Sequence, residues 1–377
     1  MNWDSSLVRV YTETDRGQAW LDRHQGTSPL FACVFGFTET GTLPDISAAG
    51  CTPADRRKTA LADAEYLLSG GTTPPQYPLP PLTAGASPAV ISRAIVTGLS
   101  LPLYVFDAGL PAPIPQPSPL PPSTVVECLS DRPARCLTSG AAMTHSQVQD
   151  LLAAGLAWGD RLAETCDYAI LGECVVGGTT TALAVLLALG FAAQGQVNSS
   201  YPLCNHRRKQ EVVQQGLLRW RERGGDTHPL AVVEALGDPM QVMVAGLALA
   251  LSRRCGVLLA GGTQMLAVYA LLRAIAQEID YPWQPEQIVV GTTRWVAEDP
   301  SGQTVALAKM VGDVPLLATQ LTFHQARFPQ LRAYEAGYVK EGVGAGGCAI
   351  AASLQGWTAP SLLAAIETGF SKLIDRS

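Results

Sequence analysis

Two segments of this chain repeat one arrangement of residues. Ala169-Ile-Leu-Gly-Glu-Cys-Val-Val-Gly-Gly-Thr-Thr-Thr-Ala-Leu and Val257-Leu-Leu-Ala-Gly-Gly-Thr-Gln-Met-Leu-Ala each run from an apolar strand through Gly-Gly-Thr into an apolar helix. Glycine lets main-chain N–H groups approach a ligand closely, and a helix start offers unpaired donors and a positive partial charge. Gly177, Gly178 and Thr179, with Gly261, Gly262 and Thr263, are therefore candidates for holding a phosphate or carboxylate. Either turn alone reads as well as a tight strand-to-helix corner capped by threonine. Two in one sheet favour an anion site.

A third glycine-rich segment, Lys340-Glu-Gly-Val-Gly-Ala-Gly-Gly-Cys, contains a literal G-x-G-x-x-G at Gly342, Gly344 and Gly347. A dinucleotide fingerprint follows a hydrophobic strand and opens a βαβ unit. Here Tyr338-Val-Lys-Glu precedes the glycines and only 30 residues follow Gly347, most of them in an expected terminal helix. The segment reads instead as a loop that presents Glu341, and an exposed loop glutamate is the plain alternative. The basic run Arg207-Arg208-Lys209 opens an amphipathic helix, where Lys209 could reach an anion or simply be solvated.

These residues need elements to position them. Strands are expected at Phe31 to Phe37, Leu103 to Phe106, Tyr168 to Val176, Gly256 to Leu259 and Gln287 to Val290. Helices are expected at Pro53 to Leu68, Ser87 to Leu99, Thr144 to Leu162, Thr179 to Phe191, Asn205 to Arg223, from Asp238 onward, Thr263 to Ile279 and Pro360 to Ile374. Thr144 with Gln147 resembles a capping box, and Asp238-Pro239 is a favourable cap and first-turn pair. Alternating strands and helices imply a doubly wound α/β fold with a mostly parallel, Rossmann-like sheet, whose ligands sit at the carboxyl ends of the strands. The expected division is a large α/β nucleotide-binding domain at 29–341 and a small helical subdomain made of 1–28 plus 342–377. The proline-rich stretches Pro74 to Pro81 and Pro111 to Pro122 cannot continue a helix and read as surface loops, lids or connectors.

Composition narrows the function classes. At 377 residues with 47% hydrophobic and 15% charged residues the chain can bury a sizeable core. A net charge of -6 with only five lysines leaves no basic stripe, so nucleic acid is not an expected partner. The nine cysteines include no C-x-x-C pair and the five histidines no H-x-x-x-H, so no metal site and no cofactor are expected. The odd cysteine count and an N-terminus without an apolar run point to a reducing, cytoplasmic setting. The longest apolar runs, Ala182 to Ala193 and Val242 to Leu251, are shorter than a membrane span and read as buried helices.

The stretch Pro229-Leu-Ala-Val-Val-Glu-Ala-Leu-Gly-Asp-Pro-Met-Gln-Val-Met-Val-Ala-Gly-Leu, followed by Val257-Leu-Leu-Ala-Gly-Gly-Thr, resembles the central segment of nicotinate-nucleotide:dimethylbenzimidazole phosphoribosyltransferases. The Leu-Gly-Glu173 segment with its Gly177-Gly178-Thr179 turn is similar to that family's Gly-Glu…Gly loop. Lys340-Glu341-Gly-Val-Gly-Ala resembles its late Gly-Glu-Gly-Ser-Gly-Ala loop. Phe31 to Leu68, with Ile46-Ser-Ala-Ala-Gly-Cys, looks like the family's divergent archaeal and cyanobacterial branch. Two departures stand out: Val176-Gly-Gly-Thr replaces the more usual Gly-Ile-Gly-Asn-Thr, and Lys340 stands where a glycine precedes the glutamate.

The resemblance implies an enzyme, a pentosyltransferase that moves the 5-phosphoribosyl group from nicotinate mononucleotide to an aromatic base, dimethylbenzimidazole or adenine, for the cobamide lower ligand. It implies Glu341 as catalytic base, Glu173 as a second carboxylate near the ribose, and the glycine-threonine turns, with Lys209, Gly342 and Gly344, as substrate and phosphate contacts. A homodimer with no membrane and no nucleic-acid partner is implied as well. The alternatives are a nucleotide N-glycoside hydrolase of the same fold and a non-catalytic nucleotide-binding regulatory protein.

Overall fold

The computed structural model describes residues 5–80 and 85–374. Pro81 of the first proline-rich stretch lies outside them, as do residues 1–4 and 375–377 of the expected small subdomain. Among the described residues the strands are β1 (Val8–Val10), β2 (Pro29–Phe35), β3 (Leu103–Asp107), β4 (Thr124–Cys128), β5 (Tyr168–Cys174), β6 (Gly256–Ala260), β7 (Ile288–Thr293) and β8 (Leu316–Thr319). They form one sheet in the order β1-β8-β7-β6-β5-β2-β3-β4, parallel throughout except for the β1–β8 pair.

Side-chain alternation explains why this sheet is covered twice. Leu30, Ala32, Val34, Ala169, Leu171, Val257, Leu259, Ile288 and Val290 face one apolar core. Their neighbours Phe31, Cys33, Phe35, Ile170, Leu258, Ala260 and Val289 face a second core on the opposite side. Strands apolar on both faces have to be sandwiched between helices, so the doubly wound α/β expectation holds. The chain leaves β2 through β3 to β4, then returns to the other side of β2 to lay down β5. The winding reverses between β2 and β5, and a crevice opens at their carboxyl ends.

Local signals set the helix boundaries. Thr52 and Asp55 form a reciprocal capping box for Pro53–Ser69, and Asp238 with Gln241 does the same for Pro239–Ser252. Thr144 accepts from the Gln147 amide, but the Gln147 side chain donates to the Arg132 carbonyl, so only half of the expected box forms. The apolar runs at 182–193 and 242–251 lie in or beside helices Gly178–Ala188 and Pro239–Ser252, whose residues are largely buried. Among the described residues no helix is long and apolar enough to cross a membrane.

Both ends of the chain meet the sheet. The strand β1, from the N-terminal segment, hydrogen-bonds to β8 as an antiparallel edge. The glycine-rich segment after Glu341 is a loop only as far as Gly344, where helix Ala345–Leu354 begins and packs directly on β5 through β8. Gly346 lies against the Thr292 backbone and Gly347 against Ala260, so these glycines permit close helix–sheet approach where the sequence suggested a loop presenting Glu341. A glycine in a helix costs about 1 kcal/mol against alanine, and burial of the whole helix offsets it.

Candidate active site

Glu173 is the next-to-last residue of β5, and its side chain is buried. The strand breaks at Val175-Val176-Gly177, where Gly177 takes φ +88° and lies against the Gly41 backbone, a place with no room for a Cβ. Helix Gly178–Ala188 starts there without a side-chain cap. Helix Thr263–Glu278 starts the same way after β6, beyond Gly261 and Gly262. Both helix starts therefore keep N–H donors free of any side-chain cap at the carboxyl edge of the sheet.

The loop carrying Glu341 is held in an unusual backbone. Val339, Lys340, Gly342, Val343 and Gly344 all have positive φ, at 66°, 69°, 146°, 51° and 71°. Three of these residues carry a side chain, and each such position costs of order 1–3 kcal/mol unless its surroundings enforce it. The surroundings do so. Thr293 Oγ1 donates to the Lys340 carbonyl at 2.6 Å, Ser92 Oγ to the Val343 carbonyl at 2.7 Å, and the Val343 amide to the Glu173 carbonyl at 2.8 Å. Lys340 itself is buried and its ammonium pairs with Asp299 at 2.5 Å.

The loop delivers the Glu341 carboxylate into a ring of donors. Oε2 accepts from Thr292 Oγ1 at 2.9 Å and the Thr293 amide at 2.8 Å, while Oε1 accepts from the amides of Gly346 at 3.0 Å and Gly342 at 3.2 Å. Burial raises the carboxyl above its ordinary value, and these donors partly offset the rise. Glu173 has weaker support from Gln264 and the Val175 amide. Burial, with the Glu341 and Asp238 charges, pushes it up to about 8. Both carboxyls are raised by burial, and Glu341 has the larger set of donors with which to hold a charge.

Glu173, Gly177, Gly178, Thr179, Gly262, Thr263, Glu341 and Gly342 line one cleft. The remaining sequence candidates fall beside it. Gly261 faces the Glu173 side chain, and Gly344 packs against Gly172 and Phe31. Lys209 is wholly buried and donates to the Asn198 carbonyl, so it neither reaches the cleft nor lies on a solvated helix face; burial lowers it to about 7. It acts on the cleft through Asn198, a lining residue whose amide also donates to Thr263 Oγ1 at 3.3 Å.

Sequence reasoning missed Asp63, Ser87, Gln264 and the Asn198 to Ser200 turn, all of which line the cleft. Asp63 left a signal: it falls on the face of helix Pro53–Ser69 that also buries Ala60, Ala64 and Leu67, where a carboxylate needs a reason. Asn198 and Lys340 left none, because their placement depends on Asp299, which binds both and accepts two further bonds from Ser301. Among the described residues no group of three or more His, Cys, Asp or Glu could hold a metal ion.

The model of a family described as phosphoribosyltransferase matches residues 82–285. The chain is similar over nearly its whole length to UPF0284 proteins of cyanobacteria. The one from Cyanothece sp. (strain PCC 7425 / ATCC 29141) is 60% identical over 362 residues, 96% of each chain. The one from Microcystis aeruginosa (strain NIES-843 / IAM M-2473) is 56% identical over 96% of this chain and 98% of its own. Among solved structures, the nicotinate-nucleotide-dimethylbenzimidazole phosphoribosyltransferase of Thermus thermophilus superposes with a TM-score of 0.57, at 19% identity, over 97% of this chain and 94% of that one. CobT from the same organism gives 0.56 at 18% identity, over 94% and 88%. At such identity the likeness is one of fold.

Proposed function

We propose, from the premise that the chain belongs to the phosphoribosyltransferase family and to the UPF0284 proteins within it, that it transfers the 5-phosphoribosyl group of nicotinate mononucleotide to an aromatic nitrogen base such as dimethylbenzimidazole or adenine. The observation that carries this reading is the half-buried Glu341 carboxylate, held by four donors in one cleft with Glu173 and two helix starts that lack side-chain caps.

In this reading the 5′-phosphate lies against the Gly177-Gly178-Thr179 and Gly262-Thr263 corners, where main-chain donors and helix dipoles favour an anion. The pyridinium nitrogen of the donor is cationic. When its bond to ribose C1′ breaks, the electron pair returns to the ring and nicotinate leaves without an acid. A lone pair on one ring nitrogen of the acceptor forms the new C1′–N bond, and Glu341, giving up one of its four present hydrogen bonds, takes the proton from the acceptor's other ring nitrogen. General-base help of this kind contributes roughly 10²- to 10⁴-fold, beyond what orientation of the two reactants supplies. Glu173, protonated near neutral pH, donates to a ribose hydroxyl; with its proton retained it offers no negative charge to an oxocarbenium-like ribose. The product is an α-linked ribonucleotide suited to the cobamide lower ligand, made by a cytoplasmic homodimer without a cofactor.

The test is incubation of the purified protein with nicotinate mononucleotide and a panel of bases, followed by mass spectrometry. Formation of a base ribonucleotide together with free nicotinate supports the reading. Nicotinate release without any acceptor replaces it with a hydrolase, and binding of the mononucleotide without turnover under any base replaces it with a regulatory protein.

A further inference from the structure

Away from the two Gly-Thr corners the cleft is lined by Ala48, Ala49, Pro80, Pro88, Val339 and Val343. Such a surface suits the flat apolar faces of an aromatic ring. One carboxyl interrupts it. Asp63 is only 5% exposed, and the surface it keeps lines the cleft. Oδ1 accepts from Ser87 Oγ at 2.5 Å, and Oδ2 has only the weak S–H donor of Cys174 at 3.5 Å. A carboxylate offers about four acceptor sites, so Asp63 has capacity to spare in a place where water is scarce.

Its hydroxyl neighbours are weaker acceptors. The Ser87 hydroxyl gives its hydrogen to Asp63 and accepts from the Ala89 amide at 3.1 Å, and the Thr59 hydroxyl gives its hydrogen to the Ala49 carbonyl at 2.7 Å. What each keeps is a neutral oxygen lone pair, whereas Asp63 offers a carboxylate, whose charge-assisted hydrogen bonds are roughly twice as strong.

We propose that Asp63 is a specificity-determining residue that selects, as acceptor, a flat nitrogen heteroaromatic bearing an exocyclic amino group over one bearing methyl groups. This rests on the transfer reading for the word acceptor, and on the cleft alone for the ligand chemistry. An amino N–H fills the open lone pairs of Oδ2, whereas methyl groups would strip the carboxyl of its remaining solvation and return nothing. Burial raises Asp63 to about 6, with the Ser87 and Cys174 bonds pulling it back only in part, which agrees with an under-supplied carboxyl.

The experiment measures calorimetric affinity and transfer kcat/KM for adenine, hypoxanthine and 5,6-dimethylbenzimidazole with the wild type, Asp63→Asn and Ser87→Ala. In the wild type adenine should bind about ten- to hundredfold more tightly than dimethylbenzimidazole. Asp63→Asn keeps an oxygen for Ser87 and turns an amide N–H toward the ligand. It should abolish that preference and improve hypoxanthine, which presents a carbonyl where adenine presents its amine. Ser87→Ala should retain the adenine preference, whereas a role for Asp63 in merely holding Ser87 predicts that both variants behave alike. An unchanged ratio in Asp63→Asn, an equal loss for all bases, a loss confined to nicotinate mononucleotide, or no binding of any base to the wild type would each overturn the proposal. If affinities switch as stated and no ribonucleotide forms, the transfer reading fails and the Asp63 assignment stands.

Discussion

The main-chain amide of Val343 donates to the carbonyl oxygen of Glu173 over 2.8 Å. That bond ties the loop carrying Glu341 to the strand end carrying Glu173, two segments 168 positions apart in sequence. The two carboxyls consequently share one buried space, and the charge on Glu341 is among the causes that raise Glu173. A change at Glu341 should therefore be read at Glu173 as well.

Glu341→Gln should reduce transfer by roughly 10²- to 10⁴-fold while nicotinate mononucleotide still binds. Both Glu341 oxygens accept from N–H or O–H groups. An amide in their place must turn its own NH₂ toward a donor, at a cost of about 1–3 kcal/mol. Steady-state kinetics combined with denaturant unfolding separates the two effects: a variant of wild-type activity would remove Glu341 from the chemistry.

Glu173 should set the alkaline side of the pH dependence. Its folded value of about 8 lies above the ordinary 4.5, so the folded protein holds a proton that the unfolded chain has already released. The stabilisation is fully present below the unfolded value and is lost as pH rises through the folded one. Denaturant unfolding from pH 5 to 9 should show a decline that Glu173→Gln flattens from pH 5 up to about 8. Transfer should fall near pH 8 in the wild type and persist to higher pH in Glu173→Gln. An alkaline limb that survives the substitution unchanged would assign it to another group.

The buried pair of Lys340 and Asp299 should respond asymmetrically to mutation. Asp299→Ala leaves the Lys340 ammonium with only the Pro202 carbonyl at 3.3 Å, and removing one partner of a buried pair costs about 3–5 kcal/mol. Lys340→Met leaves Asp299 with Ser301 and Asn198 as donors and should cost less. Unfolding midpoints of the two variants decide the order, and equal losses would show that the Asp299 donors do not compensate.

Gly178→Ala should weaken the donor substrate. A Cβ at position 178 would strike the Gln264 carboxamide, one of the groups that lower Glu173, so Gln264 must move away from this helix start. KM for nicotinate mononucleotide should rise by about tenfold, equivalent to roughly 1.4 kcal/mol, with kcat changed less. A fall in kcat at constant KM would place the effect on Glu173.

Repetition and periodicity in the sequence already determined the α/β alternation and the carboxyl-end location of the Gly-Gly-Thr corners, while the candidacy of Glu173 and the catalytic role of Glu341 came from the family resemblance. Strand runs apolar at every position, such as Phe31 to Phe35 and Leu258 to Leu259, demand cover on both faces whatever the tertiary detail. The edge strands β1 and β4, and β8 beside β1, were not legible. They are three to five residues long and take their strand character from a neighbour's hydrogen bonds, with no period of their own to reveal them.

Tertiary structure alone decided what the candidate residues can do. Helix Ala345–Leu354 looks like a glycine loop until the sheet beneath it is present to receive bare backbone. Lys340 occupies a left-handed position because Asp299 reaches it from 41 residues away, and Lys209 turns inward because Asn198 offers a carbonyl. Asp63 faces the cleft only because Ser87 and Cys174 arrive from two other elements. Local sequence records the propensities of a segment and the face it must bury. The charge state of a carboxyl depends on donors and neighbouring charges that the chain brings in from elsewhere, and these exist only once it has folded.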